Sequence, residues 1–156
     1  MNENFDIEFK ILNKDTVNIY VKYLKLALLE EPEFMCIETV DETEIKTRID
    51  NDLFNSSKSI LAIKNGKVLG RIEFHFYSCI QDGHKMAYIN WVYVLKKYRN
   101  KGIGHLLFEE FEKECKKNNV DEYYLIRAEN KFANAFYKSF DNVKFSTEPL
   151  LRKKLK

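Results

Sequence analysis

Val94-Leu95-Lys96-Lys97-Tyr98-Arg99-Asn100-Lys101-Gly102-Ile103-Gly104-His105-Leu106-Leu107 is the stretch that decides how this chain folds. It joins a strand-like run, Met86 to Leu95, to a helix whose apolar stripe is Ile103, Leu107, Phe111 and Cys115. The chain has only five glycines, and two of them stand two apart at this junction. Glycine there permits positive φ and lets a ligand approach the backbone. A helix start also presents unpaired N–H groups and the positive end of the dipole, a natural anion site. Lys96, Lys97, Arg99 and Lys101 crowd that start, the wrong charge for a bare N-terminus, whereas Glu109, Glu110 and Glu112 precede Lys116 and Lys117 in the favoured order. A bound polyanion resolves the conflict; the competing account is a tight turn with solvated lysines. The segment is neither a P-loop, since no Gly-x-x-x-x-Gly-Lys-Ser/Thr occurs, nor a dinucleotide fingerprint, since Leu107 stands where the third glycine belongs.

Outward from the junction, Asn65-Gly66 between Ser59–Ile63 and Val68–Tyr77 predicts a hairpin with a type I′ turn. Phe5, Ile7, Phe9 and Ile11 alternate with Asp6, Glu8 and Lys10, predicting a strand over Phe5–Leu12 with one buried face. Val17, Tyr20, Val21, Leu24 and Leu28 recur at helical spacing between Lys14 and Leu29, and Pro32 ends that region. Asp41 with Glu44 resembles a capping box opening a helix to about Phe54. After the central helix come a strand over Glu122–Ile126, a helix over Phe132–Phe140, and one or two closing strands from Val143 to Leu155. With no internal repeat and no evident linker, the expectation is one α/β (α+β) domain over residues 1–156 with a mixed sheet.

Composition excludes several classes. At 45% hydrophobic and 14% aromatic, the 156 residues form a folded core. The 26 basic and 24 acidic residues leave a formal charge of +2, which argues against nucleic acid as a partner. Three widely spaced cysteines form neither a CxxC pair nor a metal pattern, so no metal is expected and a reduced, cytoplasmic chain fits. Met1 to Lys10 lacks a signal-peptide core, and no apolar run approaches the roughly 20 residues of a membrane span.

The quoted stretch resembles the acetyl-CoA signature of the GNAT superfamily of N-acetyltransferases: Arg or Gln, two residues, Gly, one residue, Gly or Ala, after a strand and opening a helix. Arg99, Gly102 and Gly104 match it, and Asn130, Ala133 and Tyr137 match the family's Asn-x-x-Ala-x-x-x-Tyr segment after the next strand. The resemblance implies a mixed, mostly antiparallel sheet flanked by helices and acetyl-CoA as co-substrate. It further implies that the backbone of Arg99, Asn100, Lys101, Gly102, Ile103, Gly104 and His105 cradles the pyrophosphate. Val92, Tyr93 and Val94 would pair with the pantetheine arm, and a backbone N–H near Val94 would stabilise the oxyanion. Asn130 and Ala133 would line the pantetheine side, and Tyr137 would protonate the departing thiolate as general acid.

The strand before the glycines, Tyr88-Ile89-Asn90-Trp91, lacks the glutamate that many relatives carry. Glu73 and His75 share one face of the preceding strand with Arg71, and either is a candidate to deprotonate the amine, directly or through water; an exposed sheet face is the competing account. Relatives usually continue Tyr-x-x-x-Gly-Phe after the tyrosine, where this chain has Asp141-Asn142 as its turn. Glu30-Glu31-Pro32-Glu33-Phe34-Met35 either lines a cationic acceptor site or is a solvated acidic loop. The expected acceptor is the primary amine of a small molecule. A peptide amine and a CoA-binding module without turnover are the alternatives, and a homodimer stays open.

Overall fold

In a computed structural model, which describes residues 6–155, Asn65 and Gly66 take left-handed φ angles of 50° and 69° and fold two strands together. The elements run β1 (Glu8–Ile11), α1 (Val17–Glu30), α2 (Glu42–Ile49), β2 (Ser57–Lys64), β3 (Lys67–Ser78), β4 (Lys85–Val94), α3 (Ile103–Lys117), β5 (Glu122–Leu125) and α4 (Lys131–Lys138). Short 3-10 turns span Pro32–Phe34, Asp52–Phe54 and Lys96–Tyr98. The chain divides into two units, one ending at Leu125 and the other beginning at Ile126.

The first unit holds one five-stranded sheet in the order β1-β2-β3-β4-β5. Neighbours from β1 to β4 are antiparallel, while β5 lies parallel to β4. That parallel pair is joined by α3, since parallel strands need a long crossover. Helices α1 and α3 cover opposite faces. Arg71 on β3 meets Tyr20 of α1, whereas Phe74, of opposite parity, meets Phe111 of α3 edge-on at 4.9 Å. Tyr20, Tyr23, Leu24 and Ala27 of α1 pack on Leu61, Ile63, Val68 and Tyr93 of the sheet. On the other face Leu107, Phe108 and Phe111 are fully buried.

Two elements of this unit differ from expectation. Ile11 is 39% exposed because β1 is an edge strand with a partner on one side only; Phe5 lies outside the described residues. Asp41 does cap α2, its Oδ1 accepting the Glu44 N–H at 2.9 Å, but the helix stops at Ile49. Asn51 then caps a separate turn by accepting the Leu53 N–H at 2.9 Å, as Asx residues do when they compete with a helix.

In the second unit, the Asn130 Oδ1 accepts the Ala133 N–H at 2.8 Å and opens α4. Phe136 packs against Tyr137 and Phe140 at 5.2 and 5.1 Å. Asn142 takes φ 60°, supplying the left-handed turn expected of Asp141-Asn142. The closing strands are absent: among the described residues from Val143 to Leu155 there is no strand, and Val143, Leu150, Leu151 and Leu155 are exposed. Pro149 removes a ladder donor, and the adjacent Leu150 and Leu151 cannot share one face of a strand.

Candidate active site

The β4–β5 pair sets the geometry. Its register runs from Met86↔Glu122 to Ile89↔Leu125 and stops there, while β4 continues to Val94 along β3. Among the described residues, the edge of β4 from Asn90 to Val94 therefore has no strand beside it on the β5 side. The Leu95 N–H donates to Leu69 O at 2.9 Å, so by antiparallel alternation Tyr93 bonds toward β3, and Val92 and Val94 point their N–H and C=O groups to the open edge. The side chain of Arg99 reaches that edge, its Nε donating to Val94 O at 2.9 Å. Tyr93, expected beside them in cofactor contact, instead faces β3 and α1; its carbonyl also accepts the Tyr23 hydroxyl at 2.8 Å.

At the mouth of the opening the ladder skips a residue: Glu73 pairs with Trp91 but Phe74 with Ile89, leaving Asn90 as a bulge. Bulges bend a strand and re-aim side chains. The Asn90 Nδ2 donates to Glu73 Oε1 at 2.8 Å, and Glu73 Oε2 accepts from Arg71 Nη1 and from Ser59 Oγ at 3.3 Å. Burial pushes the Glu73 carboxyl up, but the charge of Arg71 and the hydrogen bonds from Asn90 and Arg71 outweigh it and hold the group below the usual carboxylate range. The carboxylate is thus ionised, fully engaged and weakly basic. Arg71 is 7% exposed and lies between the rings of Tyr20 and Trp91, at 5.4 and 5.7 Å. Its Nε and the Trp91 Nε1 are buried donors without a hydrogen-bond partner among the described residues. His75 is bonded to Ser57, Nδ1 to Oγ at 3.0 Å.

Beyond β4, the 3-10 turn Lys96–Tyr98 leads to two left-handed residues, Asn100 (φ 58°) and Gly102 (φ 78°), and Gly102 is the residue before α3. A Cβ on Gly102 would meet nothing within 4 Å, so the space before the helix start is open. Gly104 lies inside the first turn of α3 and has ordinary helical conformation, so positive φ is needed at Gly102 but not at Gly104. At this helix start the Leu106 N–H donates to Gly102 O at 3.1 Å, with Ile103 and Gly104 ahead of it in the first turn.

The cations at this helix start are partly answered from within. Glu31, buried at the end of α1, accepts Arg99 on both oxygens, from Nη2 on Oε2 and from Nη1 at 3.4 Å on Oε1. It also accepts the Tyr93 hydroxyl at 2.8 Å and lies 3.6 Å from Lys96 Nζ. Glu30 accepts the Lys96 N–H at 2.9 Å. Lys97 and Lys101 are exposed and flank Tyr98, 5.9 and 6.0 Å from its ring centre. Two of the four charges first ascribed to a bound polyanion therefore belong to the scaffold. Sequence held a signal for this: acids at the C-terminus of one helix and bases at the N-terminus of another both oppose their dipoles, and they pair. Arg71 and Asn90 were not distinguishable in sequence, since their roles depend on register and on the bulge.

In the second unit, Asn130 spends its side-chain oxygen on the Ala133 N–H, which gives the Asn-x-x-Ala spacing a structural reason. Tyr137 is half-buried on α4, and burial raises its phenol above the ordinary value. No group of three His, Cys, Asp or Glu side chains among the described residues is arranged to hold a metal, and no helix among them is long and apolar enough to cross a membrane.

The sequence model of the acetyltransferase (GNAT) family matches residues 24–141, and the chain belongs to that family. An uncharacterised N-acetyltransferase of Chlorobaculum tepidum is 30% identical over 88 residues, 56% of this chain; the match spans only 54% of that relative's length. The aminoglycoside acetyltransferase meta-AAC0020, from an uncultured soil metagenomic sample and in complex with sisomicin, superposes with a TM-score of 0.82 at 15% identity over 100% of both chains. A predicted acetyltransferase from Clostridium acetobutylicum, with acetyl-CoA, gives 0.70 at 18% identity over 96% of each. These two likenesses carry the fold.

Proposed function

We propose that this protein moves the acetyl group of acetyl-CoA to the primary amine of a small molecule by direct attack in a ternary complex. The observation that carries the proposal is the open edge of β4 at Val92 and Val94, running into the uncovered start of α3. An amide-bearing pantetheine arm suits that edge, because alternate backbone groups there lack a strand partner. The pyrophosphate suits the backbone N–H groups of Gly102, Ile103 and Gly104 at the helix start, with Lys97 and Lys101 as the charged flank and Arg99 holding the loop. The co-substrate supplies an activated thioester; the rest is the protein's work.

The amine attacks the thioester carbon, the oxygen gathers negative charge, and the C–S bond then breaks. The Val94 N–H, directed to the open edge, is assigned to the developing oxyanion. Tyr137 is assigned as the proton donor to the thiolate, on the strength of its place seven residues after Asn130; burial supports the role by keeping the phenol protonated. The proton shed by the amine leaves through water at Glu73 and Asn90, since both Glu73 oxygens already accept hydrogen bonds from Asn90, Arg71 and Ser59. The orphan donors of Arg71 and Trp91 suit a polar group of the acceptor or an ordered water. A neighbour of this fold, an aminoglycoside acetyltransferase in complex with sisomicin, supports the small-molecule reading.

Initial velocities measured against both substrates test the mechanism. Intersecting lines in a double-reciprocal plot are expected for direct transfer. Parallel lines with an acetylated protein intermediate would overturn it.

A further inference from the structure

We infer that Glu31 is the positioning residue of the cofactor loop: by clamping Arg99 it fixes the turn that delivers Gly102 and the start of α3 to acetyl-CoA. The inference rests on the acetyl-CoA site proposed above and adds to it a residue that touches neither substrate.

The geometry is a buried carboxylate with three partners from one segment. Its two oxygens take both terminal nitrogens of Arg99, a forked arrangement that fixes the guanidinium plane as well as its distance. The third guanidinium nitrogen, Nε, donates to Val94 O at 2.9 Å, and the group lies 5.1 Å over the Tyr93 ring. Each guanidinium nitrogen thus has a protein partner, which makes Arg99 a strut of the loop. Tyr93 OH and Lys96 Nζ complete the set around Glu31. Glu30 ties the near end of the turn through the Lys96 backbone and side chain, at 2.9 and 3.0 Å.

The consequence lies downstream. Between Arg99 and α3 the backbone passes through two left-handed residues, Asn100 and Gly102, where small rotations redirect the following N–H groups. Fixing Arg99 fixes the origin of that path. It also ties the cofactor loop to the end of α1, from which the Pro32–Phe34 turn departs.

A bare electrostatic account predicts the opposite sign. Glu31 is a negative charge near the proposed site of a polyanion, so removing it should tighten CoA binding. The clamp predicts that removal loosens it. Isothermal titration of CoA into wild type, Glu31→Gln, Arg99→Lys and the double variant separates the two. Glu31→Gln is expected to weaken CoA about 10-fold or more, the scale of one charge-assisted hydrogen bond. Arg99→Lys, which keeps the charge but loses the fork, should weaken it similarly, and the double variant should be little worse than either single. In turnover, the loss should fall mostly in KM for acetyl-CoA rather than in kcat. Tighter or unchanged CoA binding in Glu31→Gln overturns the inference. If that variant does not fold, unchanged binding in folded Arg99→Lys overturns it equally. A wild type that binds no CoA would instead remove the proposed function itself.

Discussion

Gly102→Ala is the perturbation that best separates folding from binding at this site. Gly102 has φ 78° and ψ −4°, and an added Cβ would meet no atom within 4 Å. The cost is therefore conformational rather than steric, about 1–2 kcal/mol for an L-residue held in the left-handed region. At about 2–4 °C per kcal/mol for a chain of this size, the melting temperature should fall by roughly 2–8 °C. Gly83→Ala is a matched control, with φ 73° and an equally open Cβ. It precedes the far end of β4, so the length of that strand, roughly 30 Å at about 3.3 Å per residue, separates it from Gly102. Both variants should lose similar stability. Only Gly102→Ala should lose CoA affinity, by about 10-fold or more, equivalent to about 1.4 kcal/mol, because the methyl group enters the space before the helix start or drives the loop out of its conformation. Thermal melts with and without CoA, together with titration calorimetry, read both quantities. If the two variants bind CoA equally well, the backbone from Gly102 onward is not the pyrophosphate site.

Tyr137→Phe should lower kcat by roughly 10- to 10²-fold while leaving CoA affinity near wild type, and the alkaline limb of its pH profile should vanish; parent-like turnover would reduce Tyr137 to packing. Hydrogen bonding from Arg99 holds the Glu31 carboxyl below its ordinary value of 4.5, so its stabilising effect is fully present above that pH and is lost as pH falls through the lowered value. CoA affinity should accordingly stay level down to pH 4.5 and fall only as the pH drops through the lowered value, and Glu31→Gln should remove that acid limb. Burial pushes the Cys115 thiol up to about 12, whereas Cys36 and Cys79 are exposed. A thiol reagent at pH 8 should therefore label those two in the folded protein and Cys115 only on unfolding; three fast thiols would contradict the packing of α3.

Local chemistry made part of this fold legible. Asn65-Gly66 specifies its turn by backbone preference alone, and the stripe Ile103, Leu107, Phe111 and Cys115 specifies the buried face of α3. The open edge of β4 was implied by the family resemblance alone; local chemistry could not give it, because it depends on where β5 stops, and nothing in Glu122–Ile126 marks Leu125 as its last paired residue. The bulge at Asn90 is likewise a property of register between two strands. The tail misled because Val143 and Phe145 alternate like a strand while their neighbours supply no ladder. At the site, the glycines and lysines pointed to an anion, but the balance of charge lay 66 to 68 residues away in Glu30 and Glu31. Two local rules broken at distant points, each repairing the other, can be matched only once the chain is folded.

The central claim is that an acetyl group leaves acetyl-CoA for an amine at this site. Mass spectrometry of the products after incubation with acetyl-CoA and a panel of small amines, including an aminoglycoside and a polyamine, tests it most directly, and avoids thiol reagents that would also report Cys36 and Cys79. The account predicts that at least one amine gains a single acetyl group in step with CoA release, and that Tyr137→Phe slows this transfer without weakening CoA binding. CoA binding with no acetylated amine across the panel, or acetylation that Tyr137→Phe leaves untouched, would contradict it.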